Sequence, residues 1–367
     1  MRIGKVVRVK SKTTHDTLTA TADNTKRAES STMPWQKMVF LVGLPLLFFF
    51  ISLFLGRLFI DPFTVIKILG QKVLFLPIET TWADALETVV IRVRVPRAIM
   101  AGAVGAGLSV SGAAFQGMFH NPLVSPYILG VSAGAGFGAA LAIIMDGSML
   151  TLQVFAFAFG IIAVSITYYT SRIYKTTPIL MLVLSGIVVA ALFQALISLL
   201  KYTADTEDKL PAIAFWLMGS MGSVRLENLP TALISIVVGS IGLLLVRWRI
   251  NVLSMGDREA RAMGVNTEQL KGIIIVCTTI VSAGAVAFCG IIGWVGLVIP
   301  HVSRMLVGPD HRVLLPTTLC IGAAYLILID NVARIISPAE VPIGILTALI
   351  GAPFFALLLR KTRGGWG

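Results

Sequence analysis

The chain has 367 residues, 56% of them hydrophobic and only 13% charged, with a mean hydropathy of +0.88. So few polar side chains cannot cover a soluble protein of this size, which excludes an ordinary globular enzyme and points to an all-α polytopic membrane protein. A net charge of +12 raises nucleic-acid binding as an explanation, but the placement of that charge along the chain accounts for it differently.

Residues 1–37 are rich in Ser, Thr, Lys and Arg and lack an apolar core, so they read as a disordered cytoplasmic tail and not as a secretory signal. Residues 38–367 read as a single transmembrane domain. Ten apolar runs, near 38–59, 98–119, 128–145, 149–169, 179–200, 229–246, 272–289, 293–307, 314–329 and 343–359, approach the roughly 20 residues a spanning helix needs. With the amino terminus inside, the segments on that side hold 20 basic and 7 acidic residues, against 10 and 11 on the other. The basicity is therefore that of cytoplasmic loops, both termini are expected in the cytoplasm, and no nucleic-acid partner is expected.

Small residues mark the second span, where Ala103, Gly107 and Ser111 form one stripe and Ala98, Gly102 and Ala106 another, both suited to close helix approach. Gly134, Gly136 and Gly138 imitate a nucleotide loop, but no strand precedes them and packing is the expected role. Ten spans divide into two five-span halves, which an inverted repeat would accommodate; the faint echo of Gly112, Gly117 and His120 in Gly290, Gly296 and His301 carries no weight alone.

No predicted span has a central Asp, Glu, Lys or Arg to couple an ion gradient, and no phosphate-binding loop with its Lys-Ser/Thr ending is present. A pump built on this chain takes its energy from a partner. The long loop 247–271 is where that partner is expected: two short helices broken at glycines, with Leu253, Ala260, Met263 and Val265 as apolar anchors. His120, His301 and His311 lack ligand spacing, and Cys277, Cys289 and Cys320 lie in apolar runs, so no metal site is expected.

Ordered motifs run through residues 92–359: Arg94-Val-Pro-Arg97, Ser111 to Gln116, Asn121 to Pro126, Leu129 to Ala135, Phe215 to Ser220, the Gly256/Ala260/Gly264 loop, Gly290 to His301, Asp310 to Pro316, Asp330 to Arg334, Glu340 to Gly344 and Gly351 to Phe354. In this order they resemble the FecCD/BtuC-type permease subunits of bacterial ABC importers for iron-siderophores, haem or vitamin B12. The resemblance implies a BtuC-like (type II) fold in the bacterial inner membrane and a dimer, expected as a homodimer. It also implies two cytoplasmic ATPase subunits and an extracytoplasmic binding protein. The chain itself is then no enzyme and binds no cofactor, since ATP and magnesium belong to the ATPases.

The same resemblance implies that Arg94, Arg97 and Arg334 dock the binding protein. It assigns ATPase coupling to Leu253, Gly256, Glu259, Ala260, Met263 and Gly264. Lys175, Thr176, Thr177 and Pro178 become candidates for a cytoplasmic gate, and Ser185, Gln194 and Ser198 polar candidates on the fifth span for the pathway. Asp330, one helical turn from Arg334, competes for that guanidinium. An ion-coupled secondary transporter is the rival reading and an intramembrane enzyme a third. Both lack the chemical groups they need.

Overall fold

The computed structural model describes residues 35–172 and 176–361. Two compact units are distinguished, residues 1–40 and 41–367; the first is described only from Trp35, so the expected tail lies almost wholly outside the described residues. The described residues form helices α1 (Trp35–Phe54), α2 (Pro62–Lys72), α3 (Asp84–Thr88), a π-helical turn (Val89–Arg94), α4 (Val95–Phe119), α5 (Val131–Ile144), α6 (Met149–Ser171) and α7 (Ile179–Thr203). These are followed by α8 (Lys209–Leu217), α9 (Leu229–Leu245), α10 (Arg247–Leu253), α11 (Asp257–Ala262), α12 (Thr267–Cys289), α13 (Val295–Val307), α14 (His311–Ile336) and α15 (Ile343–Lys361).

Five of these helical runs are long and apolar enough to cross a membrane: Asp84–Phe119, α6, α7, α12 and α14. A bent pair, α9 and α10 at 58°, and four shorter apolar helices accompany them. Each of the ten predicted runs falls on one of these elements, while α2 and α8 were not anticipated.

The run expected at 98–119 begins much earlier, at Asp84. Pro96 cannot donate to an ordinary helical turn and its ring crowds the preceding one, and the wide π-helical turn just before it accommodates that misfit. Arg94 and Arg97 therefore sit within a continuous helix and not on a flank. Likewise α14 runs on to Ile336, which places Asp330 and Arg334 inside it.

Burial separates centre from periphery. The apolar window of the Asp84–Phe119 run is 78% buried, whereas that of α7 is only 28% buried. Glycine sets the closest crossings of α4. A Cβ on Gly105 would lie 2.2 Å from the Gly322 carbonyl of α14, and one on Gly112 only 1.8 Å from the Gly296 carbonyl of α13. Backbones meet at these positions, so the two stripes read from sequence give only part of the contact: Gly107 faces Ile236 and Val281 on other helices, and Gly102 meets Ile327. Gly134 and Gly138 of α5 lie against the Phe159 and Phe155 carbonyls of α6, which is the packing role expected of them.

Three of the sequence motifs converge at one junction. Gly290 ends α12 with φ of +67°, and a Cβ there would lie 2.3 Å from the Trp216 carbonyl. Ser220 N–H donates to the Cys289 carbonyl at 2.8 Å, Ile343 N–H to Gly219 at 2.9 Å and Gly344 N–H to Met218 at 3.1 Å. The Gly290 to His301 motif thus ties the end of α8 and the start of α15 to the end of α12. His301 is half-buried on α13, beside Pro300.

Candidate functional site

Two clusters of polar side chains at the helix ends hold the residues singled out in the sequence. In the first, Arg97 Nε donates to both carboxylate oxygens of Asp330, at 2.9 and 3.0 Å, and Arg97 Nη1 donates to Glu340 Oε2 at 2.9 Å. Arg334 Nε pairs with Asp330 Oδ2 at 3.3 Å, and its Nη2 donates to Ser52 Oγ at 2.7 Å and to Asn331 Oδ1. Arg94 donates to the Leu53 carbonyl at 2.7 Å and to that of Leu58. The bidentate geometry and the balance of Arg97 and Arg334 against Asp330 and Glu340 make the burial of those four tolerable, while Arg94 rests on carbonyl acceptors alone.

Arg94, Arg97 and Arg334 are 4%, 4% and 7% exposed, and in the single chain their guanidiniums face acceptors of the same chain. Sequence reasoning anticipated the Asp330–Arg334 contact one helical turn apart. It missed Asp330 and Glu340 as partners of Arg97, more than 230 residues away in the chain.

The second cluster surrounds the loop 247–271. Gly256, with φ of +128°, separates α10 from α11, and Gly264, with φ of +79°, ends α11 while Val265 N–H returns to the Ala260 carbonyl at 2.9 Å. Two short helices broken at glycines are thus present as expected. Of the four expected anchors, Leu253, Ala260 and Val265 are buried in the chain's own core and Met263 is exposed. Among the residues that face outward are Met255, Glu259, Met263 and Gly264, beside Arg258 and Arg261. Glycine is favoured at Gly256 by its dihedral; the Glu259 carboxylate that a Cβ would meet at 2.3 Å is the end of a flexible, exposed side chain that can move aside.

Fixed contacts tether this hairpin to several spans. His120, in a left-handed conformation at the end of α4, places Nε2 2.8 Å from the Leu253 carbonyl, and the His311 N–H donates to Asn251 Oδ1 at 3.1 Å. Asp310 caps α14, and the Arg312 guanidinium hydrogen-bonded to it at 2.6 Å holds its carboxyl below the usual carboxylate range. Lys271 Nζ, almost wholly buried, lies 2.5 Å from Asp257 Oδ2 on α11 and 3.8 Å from Glu268 Oε1. Glu268 Oε2 in turn accepts from Thr177 N at 2.9 Å and Thr177 Oγ1 at 2.5 Å. Thr177 is buried, Thr176 and Pro178 are exposed, and Lys175 lies outside the described residues.

On α7, Gln194 and Ser198 share an exposed face, and Ser198 Oγ donates to the Gln194 carbonyl at 2.9 Å. Ser185 is only 6% exposed and faces the protein interior, so it cannot line a passage on that side. Among the described residues, no three His, Cys, Asp or Glu side chains gather in a metal-binding group, and the three cysteines are free thiols.

Comparison with known proteins places this geometry. The profile of the FecCD transport family matches residues 44–361. The molybdate import system permease protein MolB of Haemophilus influenzae is 44% identical over 315 residues, covering 86% of this chain and 92% of that protein. The cobalamin import system permease protein BtuC of Halobacterium salinarum is 41% identical over 285 residues, 77% of this chain and 76% of that one. A solved structure described as an inward-facing conformation of a metal-chelate type ABC transporter superposes with a TM-score of 0.78 at 43% identity, covering 89% of this chain and 99% of the other.

Proposed function

Since the chain belongs to the FecCD transport family, we infer that it is the permease subunit of an ABC importer, a multi-pass protein of the bacterial inner membrane with both termini in the cytoplasm. The observation that carries this reading is the family match over residues 44–361, nearly the whole transmembrane domain. It pairs with a second copy of itself, receives two ATPase subunits on the α10–α11 hairpin and takes cargo from an extracytoplasmic binding protein. Sparse burial along α7 and the apolar residues exposed on α7 and α15, such as Leu192, Leu199, Leu349 and Leu357, support a second subunit on that side. Gln194 and Ser198 then face the passage between the two copies.

The mechanism is alternating access. ATP draws the two ATPases together, the hairpin moves with them, and the spans around the passage rearrange. Cargo binds weakly along the way, because a tight site would slow its release. An ion-coupled mechanism would need a carboxylate free to exchange its cation. Asp330, the carboxylate buried within α14, is instead paired with the guanidiniums of Arg97 and Arg334 of the same chain, at 2.8 and 3.3 Å.

The cargo is a metal chelate: an iron-siderophore, haem or a corrinoid. One specific observation favours a second cargo class, the oxyanion molybdate, since MolB is 44% identical. Reconstitution in proteoliposomes with the ATPase and binding protein, tested against ferric hydroxamate, haemin, cyanocobalamin and molybdate, separates the two. ATP-dependent uptake of one of the four is the expected result. Uptake by the chain alone under a proton or sodium gradient would sink the ABC reading.

ATPase docking gives a narrower prediction. Met255 and Met263, 64% and 55% exposed, are with Trp248 at 52% the large apolar side chains the hairpin exposes. Met263→Asp, and more so the Met255→Asp/Met263→Asp pair, should weaken co-purification of the ATPase by about tenfold or more per site, the range of an interface hot spot. Thermal stability of the permease should not change, since neither side chain is buried.

A further inference from the structure

We propose that Glu268 is the positioning residue that passes movement of the ATPase-facing hairpin to the start of α7. The inference rests on the transport reading above and adds a route through named atoms.

The two oxygens of Glu268 face different parts of the molecule. Oε1 lies 3.8 Å from Lys271 Nζ and 3.7 Å from Arg261 Nη2 at the end of α11, and Lys271 also grips Asp257 at the beginning of α11, at 2.5 Å. Arg261 Nε donates to Thr267 Oγ1 at 3.1 Å, fixing the same helix a second time. Oε2 takes both the N–H and the O–H of Thr177, a residue 91 positions away and 1% exposed. A carboxylate in the first turn of α12 would already be favoured by the helix dipole. That alone does not explain why a distant threonine turns both of its donors onto it.

What lies beyond Thr177 gives the contact its use. Pro178 follows directly and serves as the N-cap of α7, and its ring fixes the backbone there, so a displacement of Thr177 is carried into the helix and not absorbed by the turn. Within the single chain α7 has the smallest buried share of the five long spans. It also bears Gln194 and Ser198 on its exposed face. Asp257, Lys271, Glu268 and Thr177 thus form one chain of charge-assisted contacts from the face offered to the ATPase to the helix that faces the passage.

The test uses the complete transporter in proteoliposomes, with ATP hydrolysis and uptake measured together and the four probes named above run in parallel. Glu268→Gln keeps the shape of the side chain but loses the charge that holds Lys271 and Arg261 and the strength of the Thr177 contacts. Uptake per ATP hydrolysed should fall about tenfold, within the usual range of a coupling free energy, while assembly and the hydrolysis rate stay near wild type. Thr177→Val should fall in the same direction and Thr177→Ser should match wild type. Because the two residues act through one contact, Glu268→Gln/Thr177→Val should transport no worse than Glu268→Gln alone.

Proportionate loss of uptake and hydrolysis, an additive double variant, or unchanged uptake would overturn the proposal. So would a Glu268→Gln permease that no longer assembles while Thr177→Val transports normally, since the residue would then be a structural cap. Failure of the wild-type complex to take up any probe with ATP counts instead against the function proposed above.

Discussion

Asp330→Ala should unfold the chain or leave it aggregated on extraction into detergent. The carboxylate is fully buried and serves two guanidiniums, those of Arg97 and Arg334, which are themselves almost inaccessible. Removing one side of such an assembly costs about 3–5 kcal/mol, because the remaining charges stay buried without compensation. Set against a total stability of about 5–15 kcal/mol, that loss is decisive. Arg97 retains Glu340, so Arg334, left with Ser52 and Asn331, should suffer most. Asp330→Asn keeps one acceptor oxygen and should fall between the two. Replacing the group as a whole, with Asp330→Leu, Arg97→Met and Arg334→Met, should recover much of the stability, since burying apolar volume avoids the desolvation of the ions. Fluorescence-detected size exclusion after graded heating measures the three variants against wild type; a wild-type profile for Asp330→Ala would show that the network carries no net stability.

Gly112→Ala should be almost as damaging, although it adds one methyl group. The new Cβ would stand 1.8 Å from the Gly296 carbonyl oxygen, where contact distances between heavy atoms are about 3.5 Å, so α4 and α13 must separate. The crossing is close from the other side as well, since a Cβ on Gly296 would lie 2.4 Å from the Pro126 ring and 2.6 Å from the Leu108 carbonyl of α4. Overpacking typically costs about 1–3 kcal/mol, and a clash of backbone with backbone belongs at or above the upper end. Gly272→Ala is the matched control: its Cβ meets nothing within 4 Å, and alanine in a helix gains about 0.5–1 kcal/mol over glycine. A melting temperature lowered by Gly112→Ala and held or raised by Gly272→Ala is the expected pair of outcomes. Equal effects from the two would contradict the close crossing.

Apolar runs and glycine punctuation made most of the helices legible, because hydrophobic length and backbone dihedral are local properties. Gly256 and Gly264 marked both breaks of the hairpin for that reason. Which side of the hairpin faces inward was not legible. The break at Gly256 resets the helical phase, so Leu253 and Ala260 could not be referred to a common face and were read as anchors although they are core. The partners of Arg97 were hidden for another reason: nothing local in Arg94-Val-Pro-Arg97 announces that Asp330 and Glu340 will arrive beside it. Glu268 was hidden similarly, since its meaning depends on Thr177, and each residue alone looks like an ordinary helix-end polar group. The small-residue stripes marked the second span as closely packed but did not pick out Gly105 and Gly112, because the closest approach depends on where a neighbouring carbonyl falls.

The short helix α5 has a consequence for how the protein is made. Fourteen residues at 1.5 Å each give about 21 Å, well short of the roughly 30 Å of hydrocarbon in a bilayer, and most of the helix is lined by α6, α7 and α12. As it leaves the ribosome, α5 is too short to settle in lipid unaided, and its glycines offer lipid little apolar surface. It must enter the membrane together with α6, as a hairpin closed through Asp146 and Gly147, so in a nascent chain halted before α6 a cysteine introduced by Ala139→Cys should react with a water-borne thiol label, since α5 itself has no cysteine or lysine.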